Sequence, residues 1–552
     1  MSEKAYEKAG NIKIYGKGHL GGKGTGLVKI SEISIPHAHR LRTQILTTTF
    51  YDSFVDSGET LNEEKFSPLA SILEEVGDIP ISVRSSATDE GWASPRGAGA
   101  VHAGENTSFM LPNNHPEFPT RLNQLKQAIY FIYKDFIGKQ PPGSQEKMAI
   151  VINPIPGIFD NTLAGPFYYP FISGVANSYF PYALKNQDPN EGFARIAFGH
   201  GYATVLDDFP VVSMATIKNP IPLKYLNVDR GQQYFYALDM TRNESLQGHE
   251  LETMKTLHVR FANTKRIKLL GVQNNLITIE ELIQKNHFGF KTGLGKIMET
   301  IVDKAASHFQ IEFVFNIDHH KKGEEVGRFH VVQLTQLPAL RFRKVQIPEK
   351  TGHTYLSISS LQGHGVKTDI KYALVVSPFV YRKSSHDAAA KKITEFNTKM
   401  RKQNKNYILI VPGRLGSSNR DWGIQVDYRN VNRAAAIFEY GVDIAGRPEP
   451  LPEDSSFSGG VYGSHFLYML QGGYDEEQKR LQTRMYGTQG THFLTNLISN
   501  NVIYGYIAPT QDTIDPWFFS GSYGDDVLKV LTFPKKVKIY ADSKNQRCII
   551  AE

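Results

Sequence analysis

The stretch Ile79–Met110, with the sequence IPISVRSSATDEGWASPRGAGAVHAGENTSFM, limits what this chain can fold into more than any other segment. Its β-branched beginning predicts a strand that ends at Arg84. Ser85 and further hydroxyl residues follow in a glycine-rich loop that reaches a second glycine turn at Gly104. A guanidinium pairs with phosphate oxygens through its fork of N–H groups, and glycines let backbone N–H groups approach closely. The stretch therefore predicts a polyphosphate site, with an ordinary solvated loop as the alternative.

A first glycine cluster, GKGHLGGKGTGL at Gly16–Leu27, precedes this stretch. It is not a P-loop. A P-loop has a glycine six positions before its lysine and a Ser or Thr directly after the lysine, whereas around Lys23 these positions hold Lys17 and Gly24. The pattern predicts a Gly-Gly-Lys-Gly turn ahead of an apolar helix, where backbone donors and one ammonium could face a phosphate. A plain strand-to-helix turn is the alternative.

Two later segments, Gln310–Phe315 and Phe329–Pro338, read as strands joined by a polar turn. If they pair as a hairpin, the alternation of side chains allows Glu312 and Gln333 to be neighbours on one face. A carboxylate and an amide oxygen that converge in this way suit Mg²⁺ shared with phosphate oxygens. A solvated hairpin face is the alternative.

Apolar residues at helical spacing predict three packing helices, at Phe66–Val76, at Leu122–Phe136 with an N-cap at Thr120, and at Leu294–Ala305. Near the C-terminus, lysines alternate with apolar residues in Pro534–Tyr540. This segment is interpreted as an edge strand guarded by its lysines rather than as a nuclear-import cluster.

Three further features are weaker. The Gly199–Gly201 turn could place His200 over a ligand, although a histidine in such a turn is more often structural. The segment Pro412–Ile424, PGRLGSSNRDWGI, is either a second anion-binding loop or a tight turn with an internal Arg–Asp pair. His465 and His492 follow similar small-residue turns, and a capped turn before a helix explains both as well as a phosphocarrier role does.

The chain has 552 residues, which is too long for one core and predicts two or three domains. Its net charge of +7 is dispersed, so nucleic-acid binding is the weakest functional hypothesis. Cys548 is the only cysteine, which excludes an intramolecular disulfide and suits a reducing cytoplasm. The N-terminus lacks an apolar signal segment, and prolines interrupt the apolar run Gly165–Leu184, so we expect no secretory signal and no membrane span.

The order of these segments resembles the nucleotide-binding domain of pyruvate phosphate dikinase and phosphoenolpyruvate synthase. The resemblance rests on GGKGTGL, VRSSA with HAGENTSF, a GxG turn, and the strands that contain IEF and VVQ, over roughly residues 10–340. It implies a variant of the ATP-grasp fold that binds ATP and Mg²⁺. Lys23 and Arg84 would contact ATP phosphates and act in catalysis, and Glu312 and Gln333 would hold the metal. The implied nucleotide site comprises Gly21, Gly22, Lys23, Arg84, Ser85, Gly104, Ser108, Glu312 and Gln333.

Three departures from the family distinguish this chain. Gln310 stands where the family has an acid two residues before the glutamate, and Thr335 stands where it has an arginine. No convincing match to the phosphohistidine carrier domain follows. The chain therefore resembles a short branch of the family whose phosphate acceptor and oligomeric state are unknown. The resemblance implies an ATP-dependent phosphotransferase; the alternative is a catalytically impaired ATP-binding sensor or scaffold.

The predicted fold class is α/β (α+β), an ATP-grasp-like nucleotide-binding domain followed by a C-terminal α/β domain. Residues 1–215 are predicted to form an N-terminal ATP-grasp subdomain with glycine-rich phosphate loops. Residues 216–345 are predicted to form the second subdomain with the metal-binding hairpin. The role of the C-terminal domain, residues 346–552, is unknown.

Overall fold

The computed structural model of the protein describes residues 12–36, 38–90, 106–140, 144–162, 165–179, 189–205, 212–214, 217, 232–241, 248–273, 275–305, 307–319, 325–337, 345–349, 351–359, 361–376, 383–413, 415–416, 423–440, 497, 500–507, 512–519, 527–542, 545 and 547–552. The chain divides into two compact units, Met1–Ser178 with Gly192–Leu337 and Tyr179–Glu191 with Pro338–Glu552. Each unit combines helices with sheets, so the protein is of the mixed α/β class. The predicted subdivision at residue 215 stays a prediction.

The first unit is built from helices and strands that alternate irregularly along the chain. Its described α-helices are α1 (Gly21–Ser31), α2 (Thr48–Asp56), α3 (Pro68–Val76), α4 (Phe118–Lys139), α5 (Tyr202–Val205), α6 (Thr264–Leu270), α7 (Glu280–Gln284) and α8 (Phe290–Ala305). Its described strands are β1 (Ile12–Tyr15), β2 (Ala38–His39), β3 (Thr43–Leu46), β4 (Ile81–Ala87), β5 (Phe109–Leu111), β6 (Met148–Pro154), β7 (Ile158–Thr162), β8 (Gly165–Tyr169), β9 (Ile172–Asn177), β10 (Phe193–Phe198), β11 (Val212–Met214), β12 (Tyr234–Asp239), β13 (Met254–His258), β14 (Val272–Gln273), β15 (Leu276–Ile277), β16 (Phe309–His319) and β17 (Glu325–Gln336).

Two sheets of the first unit carry the predicted site residues. A five-stranded sheet has the order β1-β3-β6-β4-β5, and a six-stranded sheet has the order β11-β10-β9-β16-β17-β2. A four-stranded sheet, β13-β12-β8-β7, completes the larger sheets of the described first unit. The strand that contains Arg84 is therefore inside one sheet, and the hairpin that contains Glu312 and Gln333 is inside another.

Amphipathic helices fix both sheets in place. The apolar face of α3 is buried together with α4 and the five-stranded sheet in one core. The apolar face of α8, which includes Leu294, Ile297 and Ile301, is buried with Phe313 and Phe315 of β16 in a second core. Burial of such faces is the main stabilising contribution, at about 25 cal/mol per Å² of apolar surface. The helices predicted at these places are confirmed.

The second unit is organised around a nine-stranded sheet. Its described strands are β18 (Thr354–Ile358), β19 (Leu361–Gln362), β20 (Gly365–Val376), β21 (Tyr407–Pro412), β22 (Ala434–Tyr440), β23 (Ile503–Tyr506), β24 (Thr513–Ile514), β25 (Leu528–Asp542) and β26 (Arg547–Ala551). The order of the strands in the sheet is β19-β23-β22-β21-β20-β25-β26-β18-β24. Strands β20 to β23 are parallel neighbours, and α9 (His386–Lys402) connects β20 to β21. Parallel neighbours need crossover connections of this kind.

Two local predictions are wrong. The second packing helix begins at Phe118 and has Glu117 rather than Thr120 at its N-cap. Pro534–Tyr540 belongs to β25, which pairs with β20 on one side and with β26 on the other, so it is not an edge strand. The predicted alternation of its side chains is confirmed, because Val537 and Ile539 are buried while Lys538 between them is exposed. Across the described residues, no helix is both long enough and apolar enough to span a membrane.

Candidate functional site

Arg84 is the centre of the candidate site, and it lies in the middle of β4 rather than at the end of the strand. Strand β4 pairs with β6 along its whole length, so the strand extends further than its β-branched beginning predicts. The arginine Nη1 donates to the Val332 carbonyl oxygen at 3.1 Å. Its Nη2 donates to Glu312 Oε2 at 2.6 Å and to Gln333 Oε1 at 2.7 Å. One guanidinium therefore joins the five-stranded sheet to the six-stranded sheet.

Glu312 and Gln333 lie directly opposite each other in the hairpin of β16 and β17, which confirms that they are neighbours. Since both oxygens contact the same Nη2, they converge on one position that a positive charge occupies. Mg²⁺ commonly takes one or two protein oxygens and completes its shell with water and phosphate oxygens, so this pair fits it. Among the described residues, no group of three or more His, Cys, Asp or Glu side chains could hold a metal ion. These residues therefore fit Mg²⁺ only when phosphate oxygens share it.

The neighbouring cross-strand pair on the same face of the hairpin, Gln310 with Thr335, is uncharged. Thr335 is buried, and its Oγ1 accepts a hydrogen bond from Gln333 Nε2 at 3.4 Å. Gln310 offers no carboxylate to a metal, and Thr335 offers no positive charge to a phosphate. The two departures from the family thus lie side by side in the structure, next to Glu312 and Gln333.

Lys23 forms a separate ion pair. It lies in the first turn of α1, which already begins at Gly21, so the predicted turn ahead of a helix is part of the helix itself. Lys23 Nζ donates to Glu90 Oε2 at 2.6 Å, and the other carboxylate oxygen of Glu90 accepts from Asn106 Nδ2 at 2.9 Å. Both members of the Lys23–Glu90 pair are largely buried. The charge of Lys23 is therefore balanced by Glu90 and not by the hairpin.

Ser86 connects the two cations of the site, because it lies two residues after Arg84 on β4 and contacts the start of α1. Its Oγ donates to the Leu20 carbonyl oxygen at 2.9 Å and accepts from the Gly24 N–H at 3.1 Å. The helix approaches β4 so closely that a Cβ on Gly21 would lie 1.9 Å from the Ser86 carbonyl oxygen. Gly21 also has φ +67°, which favours glycine. Packing against β4 thus requires glycine at this position.

The remaining predicted residues lie near these two pairs. A Cβ on Gly22 would lie 2.3 Å from the Glu90 carbonyl oxygen. The Ser85 N–H donates to Ser108 Oγ at 3.3 Å, and the two hydroxyl groups are also 3.3 Å apart. Gly104 lies outside the described residues. The structure therefore brings the described members of the predicted set to β4 and its immediate neighbours.

The arginines and the aspartate of the segment Pro412–Ile424 also lie outside the described residues, as do His465 and His492. Gly413 and Gly416 of that segment are described, and both have positive φ, +63° and +75°. This backbone agrees with a turn after β21 and does not distinguish an anion-binding loop from a structural one.

A polar cluster of His200, Tyr202 and Glu252 is the main feature that the sequence revealed only in part, and the charge of Arg84 acts on its histidine and its tyrosine. Tyr202 donates from its hydroxyl to Glu252 Oε1 at 2.5 Å, and the His200 and Tyr202 rings are 4.7 Å apart. Burial raises the pKa of the Glu252 carboxyl group, against the lowering effect of hydrogen bonds from Tyr202 and from the Met110 N–H. Burial and the charge of Arg84 lower the pKa of His200 to about 3. The sequence contains a signal for His200 in its glycine turn, but none for Glu252.

A scan against models of known protein families finds no match for this sequence, and a search of curated proteins finds no matching relative.

Proposed function

We propose that the protein is an ATP-dependent phosphotransferase of the pyruvate phosphate dikinase and phosphoenolpyruvate synthase type, built on an ATP-grasp-like domain. The observation that carries the proposal is the contact of Arg84 with Glu312 and Gln333, which are 228 and 249 positions away in the sequence. The family resemblance assigns these same residues to one nucleotide site. Their meeting in the fold supports that assignment, because the resemblance requires these three side chains to lie together.

The geometry suggests how a nucleotide would be held. Arg84 would exchange its hydrogen bonds to Glu312 and Gln333 for hydrogen bonds to phosphate oxygens, which accept strongly from a guanidinium. Lys23 would add a second positive charge after release from Glu90. The oxygens of Glu312 and Gln333 would then hold Mg²⁺ together with the phosphates. Bound Mg²⁺ neutralises phosphate charge, and the protein groups contribute mainly by positioning the phosphates.

A second candidate function is a nucleotide sensor or scaffold that binds ATP without transferring phosphate. Thr335 and Gln310 favour this candidate, because both are neutral and both lie beside the proposed metal position. ATP would still meet Arg84 and Lys23. The charge that steadies a transferring phosphoryl group would be reduced on this side of the site.

The deciding experiment is incubation of the full chain with MgATP, followed by separation of the nucleotide products and mass spectrometry of the protein. AMP and phosphate support dikinase chemistry, and a phosphorylated residue would identify an acceptor within the chain. Binding measured by calorimetry without any ATP consumption across a broad acceptor panel supports the sensor. Absence of both binding and consumption contradicts both candidates. The variant Arg84→Ala is the control for contaminating ATPases, since a contaminant is unaffected by it.

The proposed setting is the cytoplasm, since Cys548 is the only cysteine of the sequence and no intramolecular disulfide can form. The proposal does not identify the phosphate acceptor. A residue of the second unit is one candidate, and mass spectrometry of the protein after incubation with MgATP tests this directly.

A further inference from the structure

The turn that carries His200 is anchored to the same sheet as Glu312. The His200 N–H donates to the Tyr236 carbonyl oxygen at 2.8 Å, and Ser173 Oγ donates to the Gly199 carbonyl oxygen at 2.8 Å. Ser173 lies on β9, which pairs with β16 alongside Glu312. Gly199 has φ +87°, and a Cβ there would lie 2.8 Å from the Tyr236 carbonyl oxygen. The backbone that carries the His200 side chain is therefore held in place by its neighbours.

The hydrogen bonds of the ring fix its tautomer. The Tyr202 backbone N–H donates to His200 Nδ1 at 3.3 Å, so Nδ1 is an acceptor. In a neutral imidazole the proton is then on Nε2, which is a donor. Among the described residues, none accepts a hydrogen bond from this Nε2–H. Within the described part of the chain, this Nε2–H is thus a fixed donor without an acceptor, in a ring on which the charge of Arg84 acts.

The charge of the ring suits a place next to a guanidinium. Burial and Arg84 hold the pKa of His200 at about 3, so the ring is neutral near pH 7. A neutral donor can add a hydrogen bond to an anion without repelling Arg84. A second lysine or arginine in the same place would repel it.

We propose that His200 is a further ligand-contacting residue of the Arg84 site, whose Nε2–H donates to a phosphate oxygen of the bound nucleotide. This inference rests on the proposed function, because it takes the ligand to be a nucleoside phosphate. The phosphate oxygens of a nucleotide can accept more hydrogen bonds than Arg84 and Lys23 donate. His200 Nε2–H would therefore find a phosphate oxygen as its acceptor. The contact would favour ATP over adenosine, which has no phosphate.

The test compares three variants with the wild-type full chain, His200→Phe, His200→Gln and His200→Asn. Phenylalanine keeps a planar ring and removes the donor. The side-chain amide of glutamine can place an N–H near the position of Nε2, whereas the shorter asparagine places it near Nδ1. Affinities for MgATP and for adenosine are measured by calorimetry, and the thermal midpoint of each variant reports on folding.

We expect His200→Phe to weaken MgATP binding about tenfold, the effect of one lost hydrogen bond to a charged group. His200→Gln should stay within about threefold of the wild type, and His200→Asn should resemble the phenylalanine variant. Adenosine affinity should be the same in all four proteins. If phenylalanine prevents folding, the difference between glutamine and asparagine decides the question by itself.

Two outcomes overturn the inference alone. Wild-type MgATP affinity in His200→Phe and His200→Asn would mean that the ring does not contact the ligand. An equal loss of MgATP and adenosine binding would mean that His200 only supports the fold of the site. If instead the wild-type protein binds neither MgATP nor inorganic tripolyphosphate, the proposed function fails together with the inference, and this result is distinct from the other two.

Discussion

Arg84 and Lys23 are both candidate phosphate-binding cations, but the fold treats them differently. Arg84 contacts a carboxylate 228 positions away on another sheet, whereas the partner of Lys23 is only 67 positions away, in the turn that follows the strand of Arg84. The charge of Arg84 also acts on a polar cluster that includes His200 and Tyr202. Among the described residues, the carboxylate partner of Lys23 is Glu90 alone.

The resemblance gives Arg84 and Lys23 the same role, contact with ATP phosphates, but their contacts in the structure differ. Arg84 joins two sheets through its hydrogen bonds to Glu312, Gln333 and Val332, so its removal should affect the geometry of the whole site. Lys23 contributes one point charge, which a carboxylate already balances. Each prediction below tests whether the two regions are as unequal as their contacts indicate.

The largest effect is expected from Arg84→Ala. We expect MgATP affinity to fall by at least about 100-fold, because several charge-assisted hydrogen bonds are lost together. Arg84→Lys should recover only part of the loss, since an ammonium lacks the planar fork. Calorimetry with MgATP measures both variants. The control is Arg328→Ala, which breaks the ion pair with Asp318 on the same hairpin. Equal losses in test and control would contradict a special role for Arg84.

A smaller loss is expected from Lys23→Met. Removal of one positive charge that contacts a phosphate should weaken MgATP binding about tenfold, as measured by the same calorimetry. Lys17→Met is the matched control, because Lys17 lies in the same glycine cluster and is exposed. A loss as large as that of Arg84→Ala would remove the contrast between the two cations.

The pH dependence of stability should distinguish the Arg84 region. His200 has a pKa of about 3 in the folded protein, lowered by burial and by Arg84, against an ordinary value of 6.5. The unfolded chain therefore binds more protons between these two values, and stability should fall as the pH decreases from about 6.5 towards 3. Between pH 6.5 and 5, His200→Gln should reduce this fall in the free energy of unfolding by about 1 to 2 kcal/mol.

Urea denaturation at both pH values measures this effect, and His19→Gln, which removes an exposed histidine, is the control. An unchanged pH dependence in His200→Gln would show that the ring is not kept neutral by its surroundings.

The smallest effect is expected from Glu90→Gln, and it has the opposite sign. Loss of the carboxylate leaves the charge of Lys23 unbalanced, so MgATP affinity should increase about threefold. The glutamine oxygen can still accept from Lys23 or from Asn106. The control is Glu75→Gln, which breaks the Lys13 ion pair at the surface and should leave MgATP affinity unchanged. A decrease in affinity would mean that Glu90 positions Lys23 for the ligand rather than competing with it.

Local patterns predicted the hairpin and the helices well, because alternation and helical spacing are direct consequences of burial on one face. The same patterns failed where a neighbour decides the outcome. Strand β4 continues past Arg84 through Ser85 and Ser86 because β6 pairs with it up to Ala87. The lysine-bearing segment of β25 is interior because a second strand, β26, covers its other side. Neither partner can be recognised from the segment itself.

The sequence by itself predicted a set of candidate phosphate-binding residues. It also determined that Glu312 would face Gln333, since the side-chain period of a strand is two and a hairpin is a local structure. Only the tertiary structure decided that Arg84 reaches this pair, that Lys23 is balanced by Glu90, and that the charge of Arg84 acts on His200. The physical reason is that these contacts depend on how whole sheets and helices pack, and packing is set by many distant apolar side chains together. A local sequence pattern therefore cannot predict these contacts.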